Sequence, residues 1–405
     1  MSASSVEKIA TLAATYSHGR VAWIGSKPST AAEPIELWCG SNGRVSPEFH
    51  QQFNVIWFYE TPLFNYSLNW RLAVDEVLRL AAAEAVLIIR SVDQATGTLF
   101  ELKSKLHRHP SFDCFLETQV VLGDGSTVSV IKITRKNLSD YKSDRWSVGI
   151  LSNGKKNENV RDLIAQMVRL AEGRTIEFII CGPTFDIGLD CDHAFTDLTS
   201  NDSLPRVGEK KYLITKMAKY ENVALFHDRY RVGEDFFSGF ESFGYDFDFV
   251  TVRQSYESGA FFPGYVGFKK PEMRWQSPSY SKDSRVLFEG HYLNGGLMII
   301  KRHIAMCTSV NPLLLHNEAE DVELGFVLAA QGVTPRMNLF SSAVTVGVPD
   351  TYTSTFRLVA NSGDDAKRRL FVSYLLKMWL LLPPRLKLYI KRSKIFEKAK
   401  SMLLD

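Results

Sequence analysis

The feature that most constrains the fold is a regular alternation of short apolar runs with amphipathic segments. Between residues 19 and 136, the runs RVAWIGS, FNVIWFYET and AVLIIRSVD are rich in β-branched and aromatic residues, which predicts buried strands. Residues 68–84 lie between two of these runs and place their apolar side chains on one face of a predicted helix. Such alternation predicts an α/β fold with a mainly parallel, doubly wound sheet.

A second α/β pattern follows the polar segment KNLSDYKSD, residues 136–144, which has the composition of a linker. Predicted strands and helices alternate again from SVGIL through NENVRDLIAQMVRLAEG and TIEFIICGP to LITKMAKYENVALFHDRY. A chain of 405 residues is too long for one ordinary core. We therefore predict a Rossmann-like N-terminal domain over 1–140 and a second α/β domain over 145–355.

The bulk composition is that of a globular protein, with 45% hydrophobic and 23% charged residues. The chain lacks an apolar run long enough to span a bilayer, and its first residues lack the apolar region of a signal peptide. The five cysteines are scattered and form no C-x-x-C pair, which argues against a disulfide framework and a zinc site. These features predict a cytoplasmic protein.

The net charge of +3 conceals a basic C-terminal tail, residues 362–405. Eleven Lys and Arg residues against one acid between 367 and 400 give this stretch of the tail about +10 and leave about −7 for the rest of the chain. The charge outside the tail therefore does not favour nucleic-acid binding. Basic residues interleaved with Leu, Trp, Tyr and Phe predict an amphipathic helical tail on an anionic membrane surface. The alternative is a helical hairpin packed on the second domain with a solvated basic face.

An apolar run, residues 223–226, ends abruptly in His227-Asp228-Arg229. A carboxylate at the carboxyl end of a strand faces the crevice where α/β sheets bind ligands. Mg²⁺ and Mn²⁺ are held by one or two carboxylates together with phosphate oxygens and water. Asp228 could hold such an ion with His227 as a second ligand, or Arg229 could partly replace the cation. The plainer alternative is an ion pair between Asp228 and Arg229. His193 and His316 stand alone, and lone histidines are more often bystanders than ligands.

The order and spacing of these segments resemble the GT-A nucleotide-sugar glycosyltransferases over roughly residues 145–350. The likeness is greatest to the inverting family-2 type with its galactosyltransferase-like C-terminal half. It rests on SVGILSNGKKNENVRDLIAQMV, on the strand ending in HDR, on NGGLMIIKR and on EAEDVELGFVLAAQG. His227-Asp228-Arg229 replaces the family's Asp-x-Asp motif. The resemblance implies a divalent Mn²⁺ or Mg²⁺ ion and a nucleotide-sugar donor.

The resemblance also implies roles for individual residues. Asp321 would be the base that deprotonates the acceptor hydroxyl, and Glu320 would orient the acceptor or tune its neighbour. Acids at a helix start otherwise stabilise the helix dipole. The donor would be bound by Ser152, Asn153, Lys216, Asp228, Arg229, Gly295 and Gly296, and the acceptor by Tyr292 and Asn294. The two glycines could equally form a tight turn.

Residues 51–91 resemble the latter half of class I S-adenosylmethionine-dependent methyltransferases. That cofactor requires a glycine-rich first loop and an acid after the second strand. Here the first loop is WIGSKPSTAAEP and the second strand ends in CGS. We therefore expect a degenerate, non-catalytic methyltransferase-like domain that binds no S-adenosylmethionine.

The resemblance to the GT-A glycosyltransferases implies a UDP-sugar-dependent inverting glycosyltransferase of bacterial surface polysaccharide synthesis (O-antigen, lipopolysaccharide or capsule). Its acceptor would be a glycan or lipid-linked glycan, and it would be peripheral on the inner face of the plasma membrane. The alternatives are a methyltransferase that acts on a glycan and a non-catalytic scaffold for glycan assembly.

Overall fold

A computed structural model describes residues 3–26, 28, 31–38, 43–136, 144–197, 205–268, 279–280, 290–316, 318–350 and 383. The described residues form a mixed α/β structure with a six-stranded sheet, a nine-stranded sheet and a small three-stranded sheet. The predicted basic tail over 362–405 lies outside these residues apart from Pro383. Among the helices that the structure describes, none has the length and apolarity needed to cross a bilayer.

The first large sheet is mainly parallel, as the sequence predicts. Its strand order is β2-β1-β3-β4-β6-β5, in which the first four strands run parallel and β6 is antiparallel to both of its neighbours. The elements are α1 (Ala3–Thr15), β1 (Val21–Ile24), β2 (Glu33–Ile35), β3 (Phe53–Phe58), α2 (Trp70–Leu80), β4 (Ala81–Ser91), α3 (Leu99–Arg108), β5 (Phe112–Val121) and β6 (Thr127–Arg135). Short 3₁₀ helices precede β3 and α2, over Pro47–Phe49 and Leu63–Asn69.

Both faces of the central strands of the first sheet are buried. Side chains alternate along each strand, so Ala22 and Ile56 pack into one hydrophobic core, while Trp23 and Trp57 pack into another. The helix α3 begins at a capping box in which Thr98 and Glu101 bond each other's main chain.

One helix ends earlier than its sequence pattern predicts. The helix predicted over 68–84 stops at Leu80, and Ala81 is already the first residue of β4. Glu84 and Ala85 pair with Thr134 and Ile133 of β6. Ala81 itself pairs with Phe53 of β3. Strand pairing on both sides of β4 thus overrides the helix propensity of the alanines.

The second large sheet has the order β11-β18-β12-β17-β10-β7-β8-β9, with β13 paired to β12. Its strands are β7 (Trp146–Leu151), β8 (Ile176–Cys181), β9 (His193–Thr196), β10 (Asn222–His227), β11 (Tyr230–Val232), β12 (Phe249–Tyr256), β13 (Phe261–Phe262), β17 (Leu297–Lys301) and β18 (Arg336–Thr345). The small sheet contains β14 (Tyr265–Phe268), β15 (Ser279–Tyr280) and β16 (Gly290–Leu293). The helices are α4 (Asn157–Ala171), α5 (Val207–Met217), α6 (Phe236–Phe243), α7 (Arg302–Met306) and α8 (Glu320–Ala330).

A buried group of charges joins the two large sheets. We call it the seam cluster and define it as Arg79 and Arg135 from the first sheet's half with Asp246 and Asp248 from the second. Arg79 bonds both aspartates, at 2.9 Å to Asp246, and Arg135 lies 3.1 Å from Asp246. Each of these side chains is less than 5% exposed. Buried side chains of the two halves are therefore in direct contact.

The seam cluster keeps both aspartates ionised. Burial alone would raise the pKa of Asp246, but Arg135 and Arg79 hold that pKa below its usual range. Burial opposes ionisation of Asp248 as well, and Arg79 followed by His109 outweighs it, so the pKa of Asp248 lies well below normal. Neither carboxylate has such partners in an unfolded chain, so both link folding to pH.

Candidate functional site

The residues after β10 form a turn that opens onto a cleft. Strand β10 lies between β7 and β17, which explains its apolar residues, and it ends at His227. The next strand, β11, pairs with β18, so the chain reverses through His227-Asp228-Arg229, where the Arg229 N–H donates to the His227 carbonyl at 2.8 Å. This turn leaves Asp228 at the carboxyl end of the sheet, as the sequence predicts.

Asp228 is held by the turn that follows β7. Ser152 Oγ donates to the Asp228 carboxylate at 3.4 Å, and the Asn153 main-chain N–H also donates to it. Burial raises the pKa of Asp228, while Lys156 and these donors oppose the rise. The structure thus brings together Ser152, Asn153 and Asp228, three of the residues predicted to bind a donor.

The cleft beside Asp228 has a volume of about 260 Å³ and is lined by both signs of charge. Arg206 and Lys210 reach it from the first turn of α5, whose N-terminal end therefore faces the cleft. Free N–H groups and the helix dipole favour an anion at such an end. The polar lining consists of Ser152, Asn153, Arg206, Lys210, His227, Asp228 and His316.

His227 contributes a neutral imidazole to the cleft. Its Nε2 is buried and has no hydrogen-bond partner among the described residues. Burial lowers the pKa of His227 well below its usual value, and the nearby Lys211 and Arg229 lower it further. An uncharged ring with a free nitrogen is the form in which histidine binds metals.

The metal-binding side chains at the cleft suit a divalent ion that takes its remaining ligands from a phosphate. Asp228 offers one carboxylate and His227 one free imidazole nitrogen. No cluster of three or more His, Cys, Asp or Glu side chains able to hold a metal occurs in the described part of the chain. An ion held here would therefore need phosphate oxygens and water, a pattern usual for Mg²⁺ and Mn²⁺ in nucleotide sites.

Asp321 lies buried in the first turn of α8. Its two carboxylate oxygens accept main-chain hydrogen bonds from Gly295, at 2.7 Å, and from Val322, at 3.0 Å. The residue before the helix, Ala319, has φ 67°, a left-handed conformation that non-glycine residues rarely adopt. Such strained residues cluster at functional sites.

The environment of Asp321 brings its proton affinity close to neutrality. Burial, together with the adjacent Glu320, raises the pKa of Asp321 to about 7, while Lys211 and the two main-chain donors oppose the rise. A carboxyl group with this pKa can both take up and release a proton at physiological pH.

A two-residue turn joins Asp321 to the cleft. Gly295 and Gly296 connect β16 to β17, and the Gly295 N–H donates to Asp321. The carbonyl of the next residue, Gly296, accepts the His227 N–H at 2.9 Å. Two consecutive residues of one turn thus position Asp321 and His227, and His227 is the residue next to Asp228.

Neighbouring side chains explain why this turn contains glycines. A methyl group built on Gly295 would lie 2.7 Å from Lys211 Nζ and 3.0 Å from a Glu320 carboxylate oxygen. One built on Gly296 would lie 2.7 Å from the Tyr230 hydroxyl. The glycines therefore permit a tight turn packed against side chains of the protein itself, which is the second of the two interpretations left open above.

Several predicted site residues do not line the cleft, among them Tyr292, Asn294 and Arg229. Tyr292 is fully buried and packs in a small hydrophobic core with Val266 and Val322. Asn294 is 5% exposed, and its side chain accepts the Gly296 N–H at 3.0 Å, so it supports the turn. The charge of Arg229 lowers the pKa of Asp228, and that effect is smaller than the effect of Lys156.

Lys216, another residue predicted to bind the donor, lies in the last turn of α5, away from the cleft. The N-terminal end of this helix faces the cleft, and six residues separate Lys216 from Lys210, which corresponds to about 9 Å along the axis. The Lys216 carbonyl instead accepts a hydrogen bond from Arg302, which follows β17 at the opposite end of the strands from the cleft.

This placement predicts that Lys216→Met leaves the cleft unaffected. We expect donor affinity within about two-fold of wild type, because exposed substitutions far from a site usually change free energies by less than about 0.5 kcal/mol. Isothermal titration of the variant with UDP and Mn²⁺ measures this, with Lys210→Met as the variant that should weaken binding. A large loss in Lys216→Met alone would show that the lysine reaches the donor after all.

Sequence reasoning missed the cations of α5. Arg206, Lys210 and Lys211 lie in the segment PRVGEKK, just before the predicted helix. Acidic residues are usually preferred in the first turn of a helix, so basic residues at this position are a local sign of an anion site. His316 also lines the cleft, whereas His193 lies on the edge strand β9.

No family model matches the sequence, and no curated protein matches it. Solved structures similar to parts of the chain include Drosophila β1,4-galactosyltransferase 7 with manganese, UDP-Gal and xylobiose (8% identity, TM-score 0.31, 48% of this chain and 65% of that one). They also include the mannosyltransferase PcManGT from Pyrobaculum calidifontis with GDP-Man and Mn²⁺ (10%, 0.36, 54% and 62%). A third is the inositol-1-phosphate CTP transferase from T. maritima (9%, 0.35, 56% and 96%).

The matched region spans less than two thirds of either glycosyltransferase chain. At these TM-scores the likeness covers only part of the architecture. What the site does has to be argued from the residues of this chain.

Proposed function

We propose that this protein is a glycosyltransferase that moves a sugar from a nucleotide donor, a UDP-sugar, to a hydroxyl group of a glycan. One observation carries the proposal. The turn at Gly295-Gly296 joins a cleft suited to a diphosphate to a buried carboxyl group whose pKa is about 7. Glycosyl transfer requires both parts, an anion site for the leaving group and a nearby base.

In the proposed reaction, the acceptor oxygen attacks the anomeric carbon of the donor sugar. The new bond forms between these two atoms as the bond from the anomeric carbon to the diphosphate breaks, and its electron pair leaves with the diphosphate. Asp321 takes the proton of the acceptor hydroxyl. Attack from the face opposite the leaving group inverts the anomeric carbon.

The diphosphate lies in the cleft in this proposal, where Arg206, Lys210 and the N-terminal end of α5 attract it. Asp228, with His227, would hold a Mn²⁺ or Mg²⁺ ion. When bound, that ion neutralises charge on the leaving diphosphate. Ser152 and Asn153 hold Asp228 in place for this role.

The halves of the chain take different roles under this proposal. Residues 145–355 carry the transfer site as a GT-A domain, and residues 1–140 form a methyltransferase-like domain without its cofactor, which supports the second half through the seam cluster. The retained carboxylates argue against a scaffold, and the missing glycine-rich loop argues against a methyltransferase. The biological setting we propose remains bacterial surface polysaccharide synthesis, with the tail at the inner face of the membrane.

The direct test is to incubate the purified protein with Mn²⁺ and a panel of UDP-, GDP- and CMP-sugars and to measure nucleotide release with and without glycan acceptors. We expect release from at least one UDP-sugar that depends on Asp321. Absence of release and of thermal stabilisation with every donor would reject the proposal. Stabilisation by S-adenosylmethionine would favour the methyltransferase instead.

Replacing Asp228 should abolish the dependence of nucleotide-sugar turnover on the metal ion. In Asp228→Asn we expect nucleotide-sugar turnover to fall by at least about ten-fold and the response to added Mn²⁺ to be lost, because the variant removes the carboxylate from the cleft. Titration of UDP binding against Mn²⁺ concentration measures the effect. Unchanged Mn²⁺ dependence would assign the ion to other ligands.

A further inference from the structure

Lys211 is a buried cation that the proposed reaction leaves without a role. It is 6% exposed, and its Nζ lies 3.1 Å from a Glu320 carboxylate oxygen. The two residues are 109 positions apart in the sequence, so the pair joins α5 to the start of α8. A buried ion pair adds little to stability, because the cost of removing both charges from water offsets their attraction. Its presence beside the base therefore calls for another explanation.

The packing at the turn places Lys211 between the two parts of the site. The position of a methyl group on Gly295 would be 2.7 Å from Lys211 Nζ, 3.0 Å from Glu320 Oε1 and 3.0 Å from Asp321 Cβ, so these three side chains surround one point. The positive charge of Lys211 also acts on His227, across the same turn. One cation thus influences both the buried carboxyl group and the cleft.

We propose that Lys211 is a positioning residue for the transfer reaction, which holds Glu320 against the turn and supplies the buried positive charge beside which Asp321 acts as the base. This inference rests on the proposed function and assigns to Lys211 the control of the pH range in which the base works. It acts through Asp321 and does not itself exchange a proton with the acceptor.

The charged groups that act on Asp321 have opposite signs. Glu320, from its own helix, disfavours the ionised form, and Lys211, from α5, favours it. The β16–β17 turn contributes only the Gly295 N–H, and α8 contributes the Val322 N–H. Removing Lys211 should therefore shift the ionisation of Asp321 to higher pH, and removing the charge of Glu320 should shift it to lower pH.

The experiment compares the full-length variants Lys211→Met, Lys211→Arg and Glu320→Gln over a range of pH. For the UDP-sugar that wild type uses, we expect the acid limb of the rate profile to move up by about one to three pH units in Lys211→Met. It should stay near wild type in Lys211→Arg and move down in Glu320→Gln. Lys216→Met, on the exposed end of the same helix, is the matched control. Shifts of opposite sign are an electrostatic signature, which a merely structural role would not produce.

A second measurement separates this inference from the proposed function. The midpoint of thermal unfolding, recorded against pH without any substrate, includes the ionisation of Asp321 in the folded protein, and its difference between variant and wild type isolates that contribution. If wild type uses no donor, the proposed function fails, and this measurement alone decides whether Lys211 controls Asp321. Identical pH dependence in wild type, Lys211→Met and Glu320→Gln would overturn the inference, and so would an equal loss of rate in the Met and Arg variants without any shift.

Discussion

Asp321→Asn should reduce the rate of sugar transfer by about 10²- to 10⁴-fold, the range usual for the loss of a general base. The amide cannot take a proton from the acceptor, while the cleft proposed to bind the donor is unchanged. We therefore expect UDP affinity close to wild type together with a fall in kcat, measured by nucleotide release in the presence of acceptor. Glu323→Gln, in the same turn of α8, is the control for a lost carboxylate.

The same group gives this prediction a pH dependence with a definite sign. Because the folded-state pKa of Asp321 is about 7, activity should fall as the pH drops below about 7 and the base becomes protonated. The contribution of Asp321 to folding stability changes with pH in the opposite direction to activity. A raised pKa stabilises the folded protein below the unfolded value of about 3.9, and that contribution is lost as the pH rises through 7. Turnover by Asp321→Asn within two-fold of wild type would exclude Asp321 as the base.

Arg79→Met should be the most destabilising of these substitutions. It removes the shared partner of Asp246 and Asp248, and loss of one member of a buried ion pair costs about 3–5 kcal/mol because a buried charge is left without compensation. Urea denaturation measures the change in the free energy of unfolding. The matched control is Arg231→Met, which breaks an ion pair with Asp162 whose side chains are both more than half exposed and should change little.

Acid should reduce the difference in stability between wild type and Arg79→Met. Both seam aspartates have lowered folded-state pKa values, so their contribution is present above about pH 4, the unfolded range, and is lost as the pH falls below it. Arg79→Met should show a weaker fall in stability with acid. If Arg79→Met does not fold, Asp248→Asn gives a second test, since it removes one carboxylate and retains Asp246. Equal stability of wild type and both variants would show that the seam cluster is not a source of stability.

The placement of Asp228 and Asp321 illustrates what the sequence can predict. An apolar run that ends in a carboxylate marks the carboxyl end of a strand, and paired acids before an apolar helix mark its first turn. Both inferences use local patterns, and both residues lie where these patterns predict. Tyr292 differs, because an aromatic residue beside a predicted ligand segment is as suitable for a core as for a binding surface.

The contacts that link the two parts of the site could not be predicted in this way. Lys211 and Glu320 are far apart in the sequence, and Arg79 and Asp246 are farther still. No local pattern indicates which charge will be buried against which. The early end of α2 has the same origin, because Ala81 is extended through its pairing with Phe53 of β3, and residues 84–91 are extended through their pairing with β6.

The turn at Gly295-Gly296 also bears on how such an enzyme would choose its product. The Gly295 N–H, which holds Asp321, and the Gly296 carbonyl, which holds His227 at the rim of the cleft, belong to adjacent residues. Movement of Asp321 and movement of His227 are therefore coupled. The turn thus fixes the distance between Asp321 and the cleft, which is the gap that an acceptor hydroxyl must enter. Side chains packed on both glycines keep this gap from widening. Regioselectivity would then follow from the shape of the acceptor, and variants that alter linkage should be sought around the gap and not within the turn.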